Sequence, residues 1–186
     1  MRIIAGTRKG FRLGPVKGRR VRPTQDRVRE ALFNILEQDG PYTQVADLFA
    51  GTGAMGLEAL SRWSGKALFV DADPVAIAGL RENLRHLKLE EAGRVVHRDL
   101  SRGVGFLEKL GAPFDLIFMD PPYGKGWCLK LVPELLEGAL LTKNGVLVLE
   151  HDQGDPGPER VGLWLAADQR RYGRTRISFY RHTERE

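Results

Sequence analysis

Two short stretches of this 186-residue chain combine residue types that could do chemistry. Asp120-Pro121-Pro122-Tyr123 offers a carboxylate, a carbonyl and an aromatic ring within four positions. Asp120 and the Pro121 carbonyl could each accept a hydrogen bond from the exocyclic amine of a nucleobase. The tandem prolines Pro121 and Pro122 fix the chain direction, and Tyr123 supplies a face for stacking. Two acceptors around one amine would aim its lone pair at an electrophilic carbon, so catalysis would be chiefly in-line positioning. The second stretch, Gly51-Thr52-Gly53-Ala54-Met55-Gly56, matches G-x-G-x-x-G, and Asp71 lies twenty residues beyond Gly51. That spacing suits an adenosine-containing cofactor laid against bare backbone, with the acid on its ribose hydroxyls. The glycines alone leave a dinucleotide and S-adenosylmethionine open. Asp47, in an otherwise apolar run, favours S-adenosylmethionine, because a buried carboxylate needs a partner and the methionyl moiety carries an ammonium group. Capping of nearby backbone amides is the other reading of Asp47.

The surrounding pattern alternates strands and helices. Apolar runs at Val45–Phe49, Ala67–Val70, Val95–Val96, Phe114–Met119 and Val146–Leu149 read as buried strands. Helical spacing joins Val28, Ala31, Leu32, Ile35 and Leu36, with Thr24 as the expected N-cap and Gly40-Pro41 as the stop. Further helices are expected over Ala54–Trp63, from Asp73-Pro74 through Leu87, around 101–110, and over 127–140. Such alternation predicts a doubly wound α/β domain whose parallel strands are covered on both faces. After a Gly/Pro loop at 154–158, residues 161–167 and 174–181 read as a strand pair around Tyr172-Gly173. The predicted organisation is a basic N-terminal β-hairpin extension, 1–23, followed by the main domain, 24–186.

The charge is unevenly placed. The net value is +5, yet residues 1–29 carry ten Lys or Arg against Asp26 alone. Residues 170–186 add six arginines against Glu184 and Glu186. A basic end on an acidic body is a grip for a polyanion, and the interleaved Ile3, Ile4, Phe11 and Leu13 favour strands and turns over a solvated tail. Composition excludes a disordered or fibrous chain, since 42% of residues are apolar. No apolar run reaches the ~18 residues of a membrane helix, and the N-terminus reads as lacking a signal segment. The single Cys128 suits a reducing cytoplasm. The histidines His86, His97, His151 and His182 are dispersed, so no catalytic metal is expected.

These motifs together resemble the RsmD-type bacterial methyltransferases of small-subunit ribosomal RNA. The resemblance runs through Arg2-Ile3-Ile4-Ala5-Gly6, Arg22-Pro23-Thr24 and Arg27-Val28-Arg29-Glu30-Ala31-Leu32-Phe33-Asn34. It continues in Asp47–Gly53, Gly56-Leu57-Glu58-Ala59-Leu60-Ser61-Arg62, Asp120–Tyr123 and Tyr172-Gly173-Arg174-Thr175. It implies a seven-stranded, mostly parallel Rossmann-like fold and S-adenosyl-L-methionine as cofactor. The implied reaction is methylation of guanine N2 in 16S rRNA, at guanine 966, in the small subunit or an assembly intermediate. The implied cofactor residues are Thr24, Asp47, Phe49, Ala50, Gly51, Gly53, Asp71, Ala72, Asp99, Leu100 and Asp120. Asp120, Pro121, Pro122 and Tyr123 would hold the target base. Arg2, Arg8, Lys9, Arg12, Arg19, Arg20, Arg22 and Arg27 are the candidate RNA contacts, on a monomer expected in the cytoplasm.

Three other readings compete. The Asp-Pro-Pro-Tyr tetrapeptide is shared with adenine-N6 methyltransferases, although 186 residues leave no room for a separate target-recognition domain. The glycine fingerprint alone would serve an NAD-dependent oxidoreductase, but no hydride-transfer constellation accompanies it. The third is a non-catalytic RNA-binding protein with a relict pocket, against which the intact Asp47, Gly51, Gly53, Asp71 and Asp120 stand.

Overall fold

Glycine and proline set the limits of most elements here. In the computed structural model, which describes residues 1–14 and 23–184, the chain forms two compact units, Met1–Arg98 and Asp99–Glu186. Helix α1, Pro23–Leu36, opens the helical part of the first unit. It begins at Pro23, so Thr24 lies in its first turn and does not cap it; proline is pre-organised for that position. Strand β1, Gln44–Leu48, is buried along its last four residues. Helix α2, Ala54–Trp63, follows the glycine turn with the predicted bounds and stops at Ser64, which takes a left-handed conformation. Strand β2 is Lys66–Asp71 and helix α3 is Pro74–Leu87. Asp73 caps α3 by accepting from the Val75 amide, with Pro74 at its first position. Strand β3, Gly93–His97, completes a parallel three-stranded sheet in the order β3-β2-β1. Its core includes Leu48, Leu57, Phe69, Val70 and Leu80, all fully buried. Each such side chain stabilises the fold by about 1.5–3 kcal/mol.

Residues 1–14 are folded onto this unit. Arg2 and Arg12 form an isolated antiparallel bridge, and the Ile3 amide donates to Phe11 O at 2.9 Å. A 3-10 turn at Gly6–Arg8 closes the loop between them, and Ile3 and Leu13 are buried. The rest of the expected extension, with Arg19, Arg20 and Arg22, lies outside the described residues.

The second unit departs from expectation at its start. Instead of one helix around 101–110 it has two 3-10 turns, Leu100–Arg102 and Gly105–Leu110. Gly103 and Gly111 both sit at positive φ and interrupt a longer helix. Strand β4, Phe114–Met119, leads to helix α4, Trp127–Glu137, which ends before the predicted 140 because Gly138 and the left-handed Ala139 turn the chain. Strand β5 is longer than predicted, Leu141–Asp152. Strands β6 (Arg160–Val161), β7 (Trp164–Tyr172) and β8 (Thr175–His182) follow. The order is β4-β5-β8-β7-β6, with β4 and β5 parallel and the other pairs antiparallel. Eight strands are therefore present among the described residues, one more than the resemblance implied. The extra one, β6, arises because Gly162 at φ +56 permits a two-residue turn that pairs Val161 with Trp164.

Candidate active site

The loop after β1 is built so that every acid near it holds backbone. Phe49 takes φ +61, a costly conformation for an aromatic residue, and Gly51 takes φ +55. Asp71, at the end of β2, is 7% exposed; its Oδ2 accepts from the Gly51 amide at 2.7 Å and its Oδ1 from the Asp73 amide at 2.8 Å. Each oxygen keeps a further lone pair, so the carboxylate can still accept hydroxyls. Asp47 is buried and accepts from the Gly56 amide at 2.9 Å. Burial pushes its carboxyl up to about 7, against the opposing pull of the Gly56 amide, and the Asp71 charge pushes the same way as burial. Ala50 donates to Val70 O and is buried, and Ala72 O lies 2.9 Å from His97 Nε2. At Gly53, φ +77 and a Leu80 methyl 2.2 Å from where a Cβ would stand admit glycine only.

Around this loop the structure adds residues that motif reading missed. Glu58 of α2 is fully buried and accepts from the Ile4 amide at 2.8 Å, the Ala5 amide at 3.0 Å and Arg62 Nε at 2.8 Å. Ser61 donates to Ala5 O and accepts from the Arg8 amide. Thus the separate sequence motifs Arg2–Gly6 and Gly56–Arg62 meet in one contact through Glu58 and Ser61. Asn83 on α3 is 3% exposed and donates to Thr52 O at 3.0 Å. Its signal was there: it stands three residues after Leu80 on the apolar face of α3, where a polar group needs a buried partner. Of the candidate RNA contacts, Arg2, Lys9, Arg12 and Arg27 are exposed. Arg8 is half-buried and its Nε donates to Leu87 O at 2.7 Å. Arg29, part of the basic count, is buried against Asp26 and Glu58 and serves the fold.

In the second unit Asp99 is exposed, and its carboxyl is held below the usual range chiefly by the Ser101 amide, which donates to it at 2.8 Å. Leu100 is buried. The Asp120–Tyr123 loop follows β4 directly, with Pro121 buried and Asp120, Pro122 and Tyr123 exposed. Tyr123 donates its hydroxyl to Glu150 Oε1 at 3.3 Å, and Thr175 Oγ1 lies 3.5 Å from that hydroxyl. Burial pushes the Tyr123 hydroxyl up to about 12, and burial likewise raises the Glu150 carboxyl. The Gly124 amide donates to Asp155 at 2.8 Å. Glu150 stands one residue beyond Leu149, the register partner of Met119, which puts it level with Asp120. Neither Glu150 nor Thr175 could be assigned here by spacing, since the contact spans 27 and 52 residues.

Parallel strands ending in a glycine loop with a following acid, and a strand ending in Asp-Pro-Pro-Tyr, define the Rossmann-like methyltransferase class. The chain belongs to the RsmD family, whose model, described as "Conserved hypothetical protein 95", matches residues 1–181. It is 33% identical over 180 residues to "Ribosomal RNA small subunit methyltransferase D" of Escherichia coli (strain K12), covering 97% of this chain and 89% of that one. YlbH of Bacillus subtilis (strain 168) is 38% identical over 184 residues, covering 97% and 98%. Among solved structures, the yhhF protein of Escherichia coli superposes with a TM-score of 0.85 at 32% identity, over 100% of this chain and 99% of that one. An RNA methyltransferase of Salinibacter ruber, solved with S-adenosyl-L-homocysteine, shares the fold with a TM-score of 0.63 at 17% identity, over 89% and 96%.

Proposed function

We propose that this protein is an S-adenosyl-L-methionine-dependent methyltransferase acting on the exocyclic N2 of a guanine in 16S rRNA, at guanine 966 by family resemblance. The observation that carries the reading is the exposed Asp120-Pro121-Pro122-Tyr123 loop at the carboxyl end of β4, in a chain matched over 97% of its length by a small-subunit rRNA methyltransferase. The residues of the glycine loop fit the cofactor. Asp71 has free lone pairs for ribose hydroxyls, and an ammonium group beside Asp47 would restore a charge that burial now opposes. When bound, the cofactor supplies an electrophilic methyl group. Asp120 and the Pro121 carbonyl accept the two N2 hydrogens of the splayed base, and the Tyr123 ring stacks on it. Holding the amine in line is the main catalytic contribution, and the proton leaves to Asp120 or to water through it. Asp99 and Leu100 serve the adenine end. The exposed Arg2, Lys9, Arg12 and Arg27, with Arg19, Arg20 and Arg22, hold phosphates of the small subunit or its assembly intermediate. The working unit is a monomer.

The test mixes the protein, methyl-labelled cofactor and undermethylated small subunits, and then maps the label. Label on N2 of one 16S guanine is expected. Label on an adenine, or none on rRNA, overturns the assignment.

A further inference from the structure

Thr52 sits between two left-handed glycines, and the orientation of the Thr52–Gly53 peptide decides what the cofactor loop presents. That peptide is held at both ends. Its N–H, from Gly53, donates to Ala50 O at 2.7 Å, and its carbonyl accepts from Asn83 Nδ2 at 3.0 Å. The other end of the Asn83 carboxamide, Oδ1, accepts from the Gly14 amide at 2.7 Å. One buried carboxamide therefore spans the loop and the last described residue of the N-terminal segment. A second contact runs alongside, from Thr52 Oγ1 to Met1 Sδ at 3.6 Å. Asparagine is suited to this place because it carries a donor and an acceptor on one planar group. Lys9 and Arg12 on the same segment are exposed and available to a polyanion.

We propose that Asn83 is a positioning residue for cofactor binding, and that it links the glycine loop to the basic N-terminal segment. Occupancy of the loop then steadies the segment, and by reciprocity a polyanion on the segment strengthens cofactor binding. The proposal rests on the cofactor reading above.

The experiment uses the full chain and S-adenosyl-L-homocysteine as probe, with affinity measured by calorimetry well below each variant's unfolding temperature. N83D keeps the acceptor for Gly14 but loses the donor to Thr52, whereas N83L loses both. Both lose the bond to the Thr52 carbonyl, and each is expected to bind at least about tenfold more weakly, the effect of that one buried hydrogen bond. Hydrogen exchange on the wild type gives a readout that does not depend on variants folding: saturating probe should slow exchange of the Gly14 amide by about tenfold. A lowered unfolding temperature with affinity within twofold of wild type makes Asn83 merely structural and overturns the proposal. Unchanged Gly14 exchange overturns the link. Absence of binding to the wild type itself would overturn the cofactor reading and leave nothing for Asn83 to position.

Discussion

The two loops proposed to carry the chemistry, one after β1 and one after β4, are held in opposite ways. Around Gly51–Gly53 the acids Asp47 and Asp71 are buried, Asp47 on the Gly56 amide and Asp71 on those of Gly51 and Asp73, and the Thr52 carbonyl is fixed by Asn83. Around Asp120–Tyr123 the acid and the ring are exposed, and the loop is tied down by a 3.3 Å hydroxyl contact to Glu150 and by the Gly124 amide on Asp155. A loop that lays backbone against a cofactor gains from being rigid before the ligand arrives. A loop that must admit a base pulled from its stack gains from exposed groups and a latch that a substrate can displace. Strain follows the same division: the non-glycine residue at positive φ in these two loops is Phe49, in the rigid one.

The sharpest way to break this comparison is Asp120→Ala. It should reduce methyl transfer by about a thousandfold or more while S-adenosyl-L-homocysteine affinity stays within a few-fold of wild type. Full transfer activity would remove the second loop from the chemistry. Glu58→Leu tests the rigid side. It strands the Ile4 and Ala5 amides, leaves Arg62 with Glu37 alone and takes one of two carboxylates from the buried Arg29, so unfolding should cost about 3–5 kcal/mol less, read as a fall of about 10 °C in Tm.

Asp47 gives a pH signature. Its carboxyl is raised to about 7, so between about pH 4 and 7 the folded protein keeps a proton that the unfolded chain has released. Its contribution to stability therefore falls as pH rises through that window and is level above it. Asp47→Asn, whose amide oxygen can still accept from Gly56, should remove that slope and add about 2–4 kcal/mol at pH 8. The same change should weaken cofactor binding by losing the ammonium partner; a variant no more stable than wild type in denaturant melts at pH 8 would refute the burial argument. Tyr123→Phe should have the smallest effect, about 0.5–1 kcal/mol in stability, because the hydroxyl contacts are long and half-exposed. Transfer should slow only several-fold, since the stacking ring remains. A loss as large as that of Asp120→Ala would mean the latch itself is catalytic.

Much of this was readable in advance where local pattern and burial agree. Helix α2 and strand β4 kept their predicted limits because Gly53, Trp63-Ser64 and the apolar run Phe114–Met119 act within a few residues. The helix expected around 101–110 does not form, because Gly103 and Gly111 at positive φ break the stretch into 3-10 turns. Charge in sequence carries no sign of depth, so Arg8 and Arg29 look like part of the basic grip at 1–29. In the fold Arg8 bonds the end of α3 and Arg29 is buried beside Glu58.

By itself the sequence determined the residue types available at each strand end, the alternation of strands and helices, and the family, because these depend on short-range spacing and local backbone preference. Tertiary structure decided how deeply each of those residues is buried and which distant groups it holds. That Glu58 is committed to the Ile4 and Ala5 amides, and that Asn83 reaches both Thr52 and Gly14, depends on contacts across 31 to 69 residues. Such contacts form only when packing brings distant segments within hydrogen-bond range and removes the water that would otherwise satisfy them.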